Sequence, residues 1–228
     1  MTINIKVLVA QMVVLFLVFA LALFLPAGTS AWLAGWCFLV LFFGFVVALT
    51  LWLFRYNPEL LQERMTGFKK PDQQGWDKVL MPVTGVLFFA WLILMPLDAV
   101  RFRWSQVPVW LQVVGAIILL GSFYLFFLTF RENSYLSSVV RIQEERGQTV
   151  VSTGPYHYAR HPMYSAFVLL VVGTPLLLGS WYGVLVGIIL MGMVARRAVL
   201  EERLLRQELK GYDLYMAQVK YRFIPHVW

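Results

Sequence analysis

Charge is scarce in this chain. Only 14% of its 228 residues are charged, while 60% are hydrophobic. A soluble domain keeps about a quarter of its residues charged, so most of this chain lies where charge is costly. A bilayer fits that deficit better than a large aqueous core. Cysteine is nearly absent. Cys37 stands alone between Trp36 and Phe38 in an apolar run, where burial is expected, so an intrachain disulfide, a CxxC motif and a Cys/His zinc spacing are all excluded. Three histidines, His157, His161 and His226, are too few and scattered for a ligand cluster, and no metal is expected. A cleavable leader is not expected either: Lys6 precedes the first apolar run and no small-residue cleavage site follows, so that run reads as a retained anchor. The segment Ile224–Trp228 has no prenylation box.

What is present is a series of apolar segments bounded by charge or by Pro and Gly: roughly 7–25, 31–54, 79–97, 107–130, 162–178 and 181–200. The expected fold is an all-α integral membrane protein of about six transmembrane helices, five if the last pair only dips into the bilayer. The fifth segment is short and carries Gly173 and Pro175. Only Gly179-Ser180 joins it to the sixth, which predicts a tight helical hairpin. Gly179, Gly183 and Gly187 recur every fourth residue, as close helix approach in lipid requires. The chain divides into a four-helix region over 1–130 and a region over 131–228 holding the hairpin and a C-terminal cytoplasmic helix.

The formal charge of +7 could suggest nucleic acid, but the basic residues flank apolar stretches, which is how membrane topology is encoded. Nucleic acid is not an expected partner. Of the 19 Lys and Arg, Arg101 and Arg103 alone fall on one side of the six crossings. The positive-inside rule then sets both termini in the cytoplasm. The three polar pieces, 55–78, 131–161 and 201 onward, share that side, and none can bury a core alone.

Three constellations there could carry chemistry. In Gly154-Pro155-Tyr156-His157-Tyr158-Ala159-Arg160-His161-Pro162-Met163-Tyr164, Pro162 suits the first turn of a helix, whose N-terminus favours an anion beside His161 and Arg160. An interfacial Tyr/His belt is the alternative, and composition alone favours it. In the second, Glu201-Glu202 follows the last apolar run; Glu202 has an i,i+4 partner in Arg206, whereas Glu201 faces Leu205 and is left for a cationic ligand. In the third, Gly211 suits a helix C-terminus and Tyr212 and Tyr215 share a face that could pack on a flat ring or anchor at the interface. The segment Arg55–Arg64, broken at Asn57-Pro58, reads as a structural loop.

In order and spacing, Gly154-Pro155-Tyr156, Arg160-His161-Pro162-Met163-Tyr164, the hairpin, Glu201-Glu202, Tyr212, Tyr215, Arg222 and Pro225 resemble the isoprenylcysteine carboxyl methyltransferase family over about a third of the chain. The first four spans resemble bacterial members, which implies an inner (plasma) membrane. The resemblance implies an S-adenosylmethionine-dependent methyltransferase whose lipophilic, prenylated or lipid acceptor enters from the bilayer. Carried over, Tyr156, Arg160, His161, Pro162 and Tyr164 would meet the methionine part of the cofactor. Glu201 and Glu202 would hold its ammonium or lie near the sulfonium. Tyr212, Tyr215 and Pro225 would close the adenosine pocket, with Glu201 and Arg222 acting on the acceptor. Such a cofactor needs both an anion site and a carboxylate. A carboxylate acceptor is already ionised at pH 7, whereas an amine needs a base, Glu201 or His161.

Three other readings stay open. A membrane sterol-type reductase would bind NADPH, whose phosphates sit badly beside Glu201-Glu202. A phospholipid N-methyltransferase keeps the cofactor and changes the acceptor. A non-catalytic membrane assembly protein keeps only the fold. The sequence carries no signal of oligomeric state.

Overall fold

A computed structural model describes residues 3–67, 70 and 72–228; Lys69, counted among the basic residues above, lies outside them. The described residues form an all-helical membrane bundle. Five helices have the length and apolarity to cross a bilayer: α1 (Ile5–Ala27), α2 (Leu33–Tyr56), α4 (Asp77–Pro96, continued by a π-helical turn Leu97–Arg101), α5 (Val109–Glu132) and α7 (Trp181–Glu208). The short helices are α3 (Pro58–Met65) and α8 (Tyr212–Gln218), and α6 (Pro162–Leu178) is the shorter apolar helix expected before the hairpin turn.

Local chemistry sets the boundaries. The Asn4 side chain accepts from the N–H of Lys6 and Val7 to start α1. Asn57 ends α2, and its Oδ1 then accepts from Leu60 N–H to open α3 with Pro58 in the first turn. The loop expected over Arg55–Arg64 is therefore mostly a helix. Pro96 has no N–H to give, and the backbone widens into the π-turn rather than stopping where the apolar run ends. Gly179, at φ +85°, closes α6: its N–H reaches Leu176 O and the N–H of Ser180 reaches Pro175 O. It thus makes the turn and does not belong to the packing face with Gly183 and Gly187.

Helices that are apolar all round have no hydrophobic reason to associate in lipid, so close van der Waals fit must hold them. The α5–α6 pair is closest. A Cβ on Gly115 would collide with the Leu177 backbone, and one on Gly173 would meet Gly115 O and Leu119 N at 2.8 Å. Gly187 lets Val171 approach to 2.6 Å from its own missing Cβ. The interior between the helices holds Phe19, Phe38, Trp91, Leu119, Phe123 and Leu190. Trp91 Nε1 donates to Gly183 O at 2.6 Å, so the buried indole keeps a partner. Cys37, expected to be buried, points outward.

Both ends of the bundle are tied by polar clusters. At one end, buried Asp98 Oδ2 accepts from Ser105 Oγ (2.7 Å), Ser180 Oγ (2.6 Å) and Tyr182 N–H. This joins the α4–α5 connection to the hairpin turn, so α6 and α7 reach the end where that connection lies. At the other end, buried Asp77, at the start of α4, joins residues 138–140 and α7 through Arg197. A Gly173→Val substitution should force α5 and α6 apart, costing about 1–3 kcal/mol; thermal unfolding in detergent checks this, and an unchanged midpoint contradicts the packing.

Candidate functional site

At the Asp77 end, residues 133–151, the start of α6, the end of α7 and α8 enclose a cleft. Its empty space is about 850 Å³ including the open mouth. Of the residues singled out from sequence, Tyr156, Arg160, His161, Tyr164, Glu201, Tyr212 and Tyr215 line it. Glu202 sits behind the wall, buried; Pro162, Arg222 and Pro225 are not lining residues, and Pro225 is exposed in the tail.

The back of the cleft is an ionic hub. Glu202 Oε1 accepts from Arg160 Nε at 2.6 Å and lies 3.2 Å from His161 Nε2, and its Oε2 accepts from Arg222 Nε at 2.8 Å. The i,i+4 pair of Glu202 with Arg206 is not formed; Arg206 binds Asp213 instead. Local helix geometry permits the i,i+4 contact, but two buried arginines offer a desolvated carboxylate stronger compensation than an exposed one. Arg160 also donates to the carbonyls of Val219 (2.7 Å) and Lys220 (2.9 Å), while the N–H groups of Arg160 and His161 reach Tyr221 O and Arg222 O. Most of what Arg160 and His161 offer is therefore spent on holding the tail against the entrance of α6.

A second network faces inward. Tyr164 Oη donates to Glu201 Oε2 at 2.6 Å and accepts from Arg197 Nη1 at 3.1 Å; Arg197 Nε donates to Asp77 Oδ1 at 3.0 Å. No other hydrogen bond among the described residues engages Glu201, which leaves its second oxygen for a ligand. The opposite wall is apolar and aromatic: Tyr156, Tyr212, Tyr215 and Val219 pack with Val150, Val151, Leu205 and Leu209. Burial of Tyr212 and Tyr215 excludes the interfacial-anchor reading for that pair. Burial raises the Tyr156 hydroxyl despite the hydrogen bond from Asn133, and raises those of Tyr212 and Tyr215, so all three stay neutral near pH 7. Tyr215 Oη donates to Tyr156 O at 2.7 Å, but the buried Tyr212 hydroxyl has no partner.

Gly211, expected to end a helix, instead starts α8 at φ +88°. Gly154, at φ +56°, admits no side chain, because Glu132 would collide with it. Arg197 and residues 133–151 escaped the sequence reading. The signal for Arg197 was its place four residues before Glu201; the 133–151 stretch has no periodicity to announce it. Its support is α3: Glu63 accepts from Ser137 Oγ (2.9 Å) and pairs with Arg141 and Lys70, and Arg64 donates to Leu136 O. Burial opposes the Glu63 charge, but the bonds from Lys70 and Ser137 and the Arg141 charge outweigh it and lower its pKa.

The family model described as phospholipid methyltransferase matches residues 110–210. That segment is of the membrane methyltransferase family. It takes in α5, the hairpin and the first half of the cleft, including Tyr156, Arg160, His161, Tyr164, Arg197 and Glu201. No curated protein matches the chain. Glu202→Ala leaves two buried arginines without a counterion, which should cost about 3–5 kcal/mol. Limited proteolysis then should cut within residues 219–228 much faster than in the unaltered protein; equal rates contradict the hub.

Proposed function

We propose that the protein transfers a methyl group from S-adenosylmethionine to a lipophilic acceptor, in a cleft on the cytoplasmic side of its membrane. The observation that carries the reading is the pairing, in one cleft, of a carboxylate with an unengaged oxygen, Glu201, and an aromatic wall containing the unpartnered Tyr212 hydroxyl. These groups fit the donor: Glu201 suits its ammonium, Tyr156, Tyr212 and Tyr215 a flat purine, and the Arg160–Arg222–Glu202 hub, which holds one positive charge in excess, its carboxylate. Pro162 would fix the N-terminal turn of α6 beneath it. Pro225 and Arg222 would act only if the exposed tail folds over the mouth.

The bound donor supplies an electrophilic methyl carbon. As the new O–C or N–C bond forms, the C–S bond breaks and its electron pair returns to sulfur. This chain's part is alignment and exclusion of water. An ionised carboxyl group, as in a prenylcysteine-like acceptor, needs no base. The family description favours a second acceptor, a phospholipid amine; there Glu201 or His161 would take the proton. The concentration of basic residues at the cleft end supports cytoplasmic termini, and an inner membrane if the host is bacterial.

Calorimetry of the detergent-purified protein with S-adenosylhomocysteine, S-adenosylmethionine and NADPH tests the reading. The first two should bind and NADPH should not; NADPH binding alone overturns it in favour of a reductase. Glu201→Gln should weaken S-adenosylhomocysteine about tenfold, the loss of one charge-assisted contact, with an unchanged unfolding midpoint.

A further inference from the structure

A second cavity lies outside the cleft. It is an apolar groove of about 550 Å³ along the first half of α4, where Met81, Gly85 and Phe89 recur every fourth residue on one face. Lys70, Gln73 and Lys78 close its polar end. Lys78 is exposed and makes no side-chain hydrogen bond or ion pair among the described residues, whereas Lys70 is held by Glu63 and Thr66. From Lys78 to Phe89 the helix rises about 16 Å. An apolar trough with a free ammonium at its polar end matches an amphiphile with one chain and an anionic head.

Groove and cleft share one wall. Buried Asp77 builds it: its Oδ2 accepts from Gln73 Nε2 (2.9 Å) and Val140 N–H (3.0 Å), and its Oδ1 from Arg197 Nε (3.0 Å). Gln73 lines the groove, while Val140 and Arg197 line the cleft. A single side chain's hydrogen-bond shell thus separates the two spaces.

We propose that this groove binds the methyl acceptor as a single-chain carboxylate amphiphile, its chain along α4 and its carboxylate at Lys78, next to the Asp77 wall. The acceptor role rests on the methyltransferase reading above. The carboxylate is the ionised nucleophile, and its methyl ester has no charge for Lys78 to hold, so the product is released where the substrate is retained.

The test uses the full chain in detergent with palmitic acid carrying a chain diazirine, and with the methyl ester of the same probe. After photolysis, mass spectrometry reads labelling of the peptide spanning residues 78–89. The acid should label it about tenfold more than the ester, and Lys78→Glu should remove that preference, since a like charge now faces the head. Gly85→Leu fills the groove without touching the packing, because a Cβ there meets nothing within 4 Å; it should cut labelling and raise the KM for a long-chain carboxylate acceptor about tenfold. Both variants should bind S-adenosylhomocysteine with unchanged affinity. Equal labelling by acid and ester, or labelling indifferent to both variants, overturns the site and leaves ordinary boundary lipid. Selective labelling with KM unchanged in both variants overturns the acceptor role. Absence of S-adenosylhomocysteine binding by the unaltered protein overturns the methyltransferase reading and the acceptor role, while the acid–ester contrast still decides whether the groove is a carboxylate site.

Discussion

Glu202 is a carboxylate almost out of reach of solvent, and Arg160, His161 and Arg222 converge on it from two other segments of the chain. Removing that charge from water costs several kcal/mol, and only a full set of partners offsets it. The constraint is therefore mutual. The end of α7 holds the tail, the tail's carbonyls hold Arg160, and Arg160 fixes where α6 begins. The aromatic wall of the cleft lies against the same tail, since Val219 packs with Tyr156, Tyr212 and Tyr215. If the hub opened, the cleft would lose one side.

The inward network has a different character. Tyr164 stands between Arg197 and Glu201, and Arg197 is anchored on Asp77 at the head of α4. Each member sits on a helix or at a helix end, which positions functional groups more firmly than a loop does. One pair of helices, α6 and α7, carries both networks, and glycine packing against α5 and α4 holds that pair in register. The far end is fastened by Asp98 and the two serines.

Much of this was legible in the residues. The apolar runs, bounded by Asn57-Pro58, Gly179-Ser180 and the charged flanks, marked the six long helices because bilayer length and backbone satisfaction leave few alternatives. Glu201 could be separated from Glu202 by its neighbours, although the reason was incomplete: Glu202 is engaged by Arg160 and Arg222, 42 and 20 residues away, rather than by Arg206. Pairings at such separations have no period to betray them. The same holds for residues 133–151, whose course depends on Asp77, Glu63 and Arg64 beneath them. The groove beside Lys78 depends on empty space, which no string of residues records.

The docking of the tail also has a consequence for biogenesis. Residues 219–223 leave the ribosome after α7, and Arg160 waits for their carbonyls through the synthesis of some 60 intervening residues that include two membrane-inserted helices. Until then its guanidinium and the carboxylate of Glu202 have only each other. The cleft is thus a record of completed insertion: a nascent chain with a misplaced hairpin would lack the wall on which any ligand could be held.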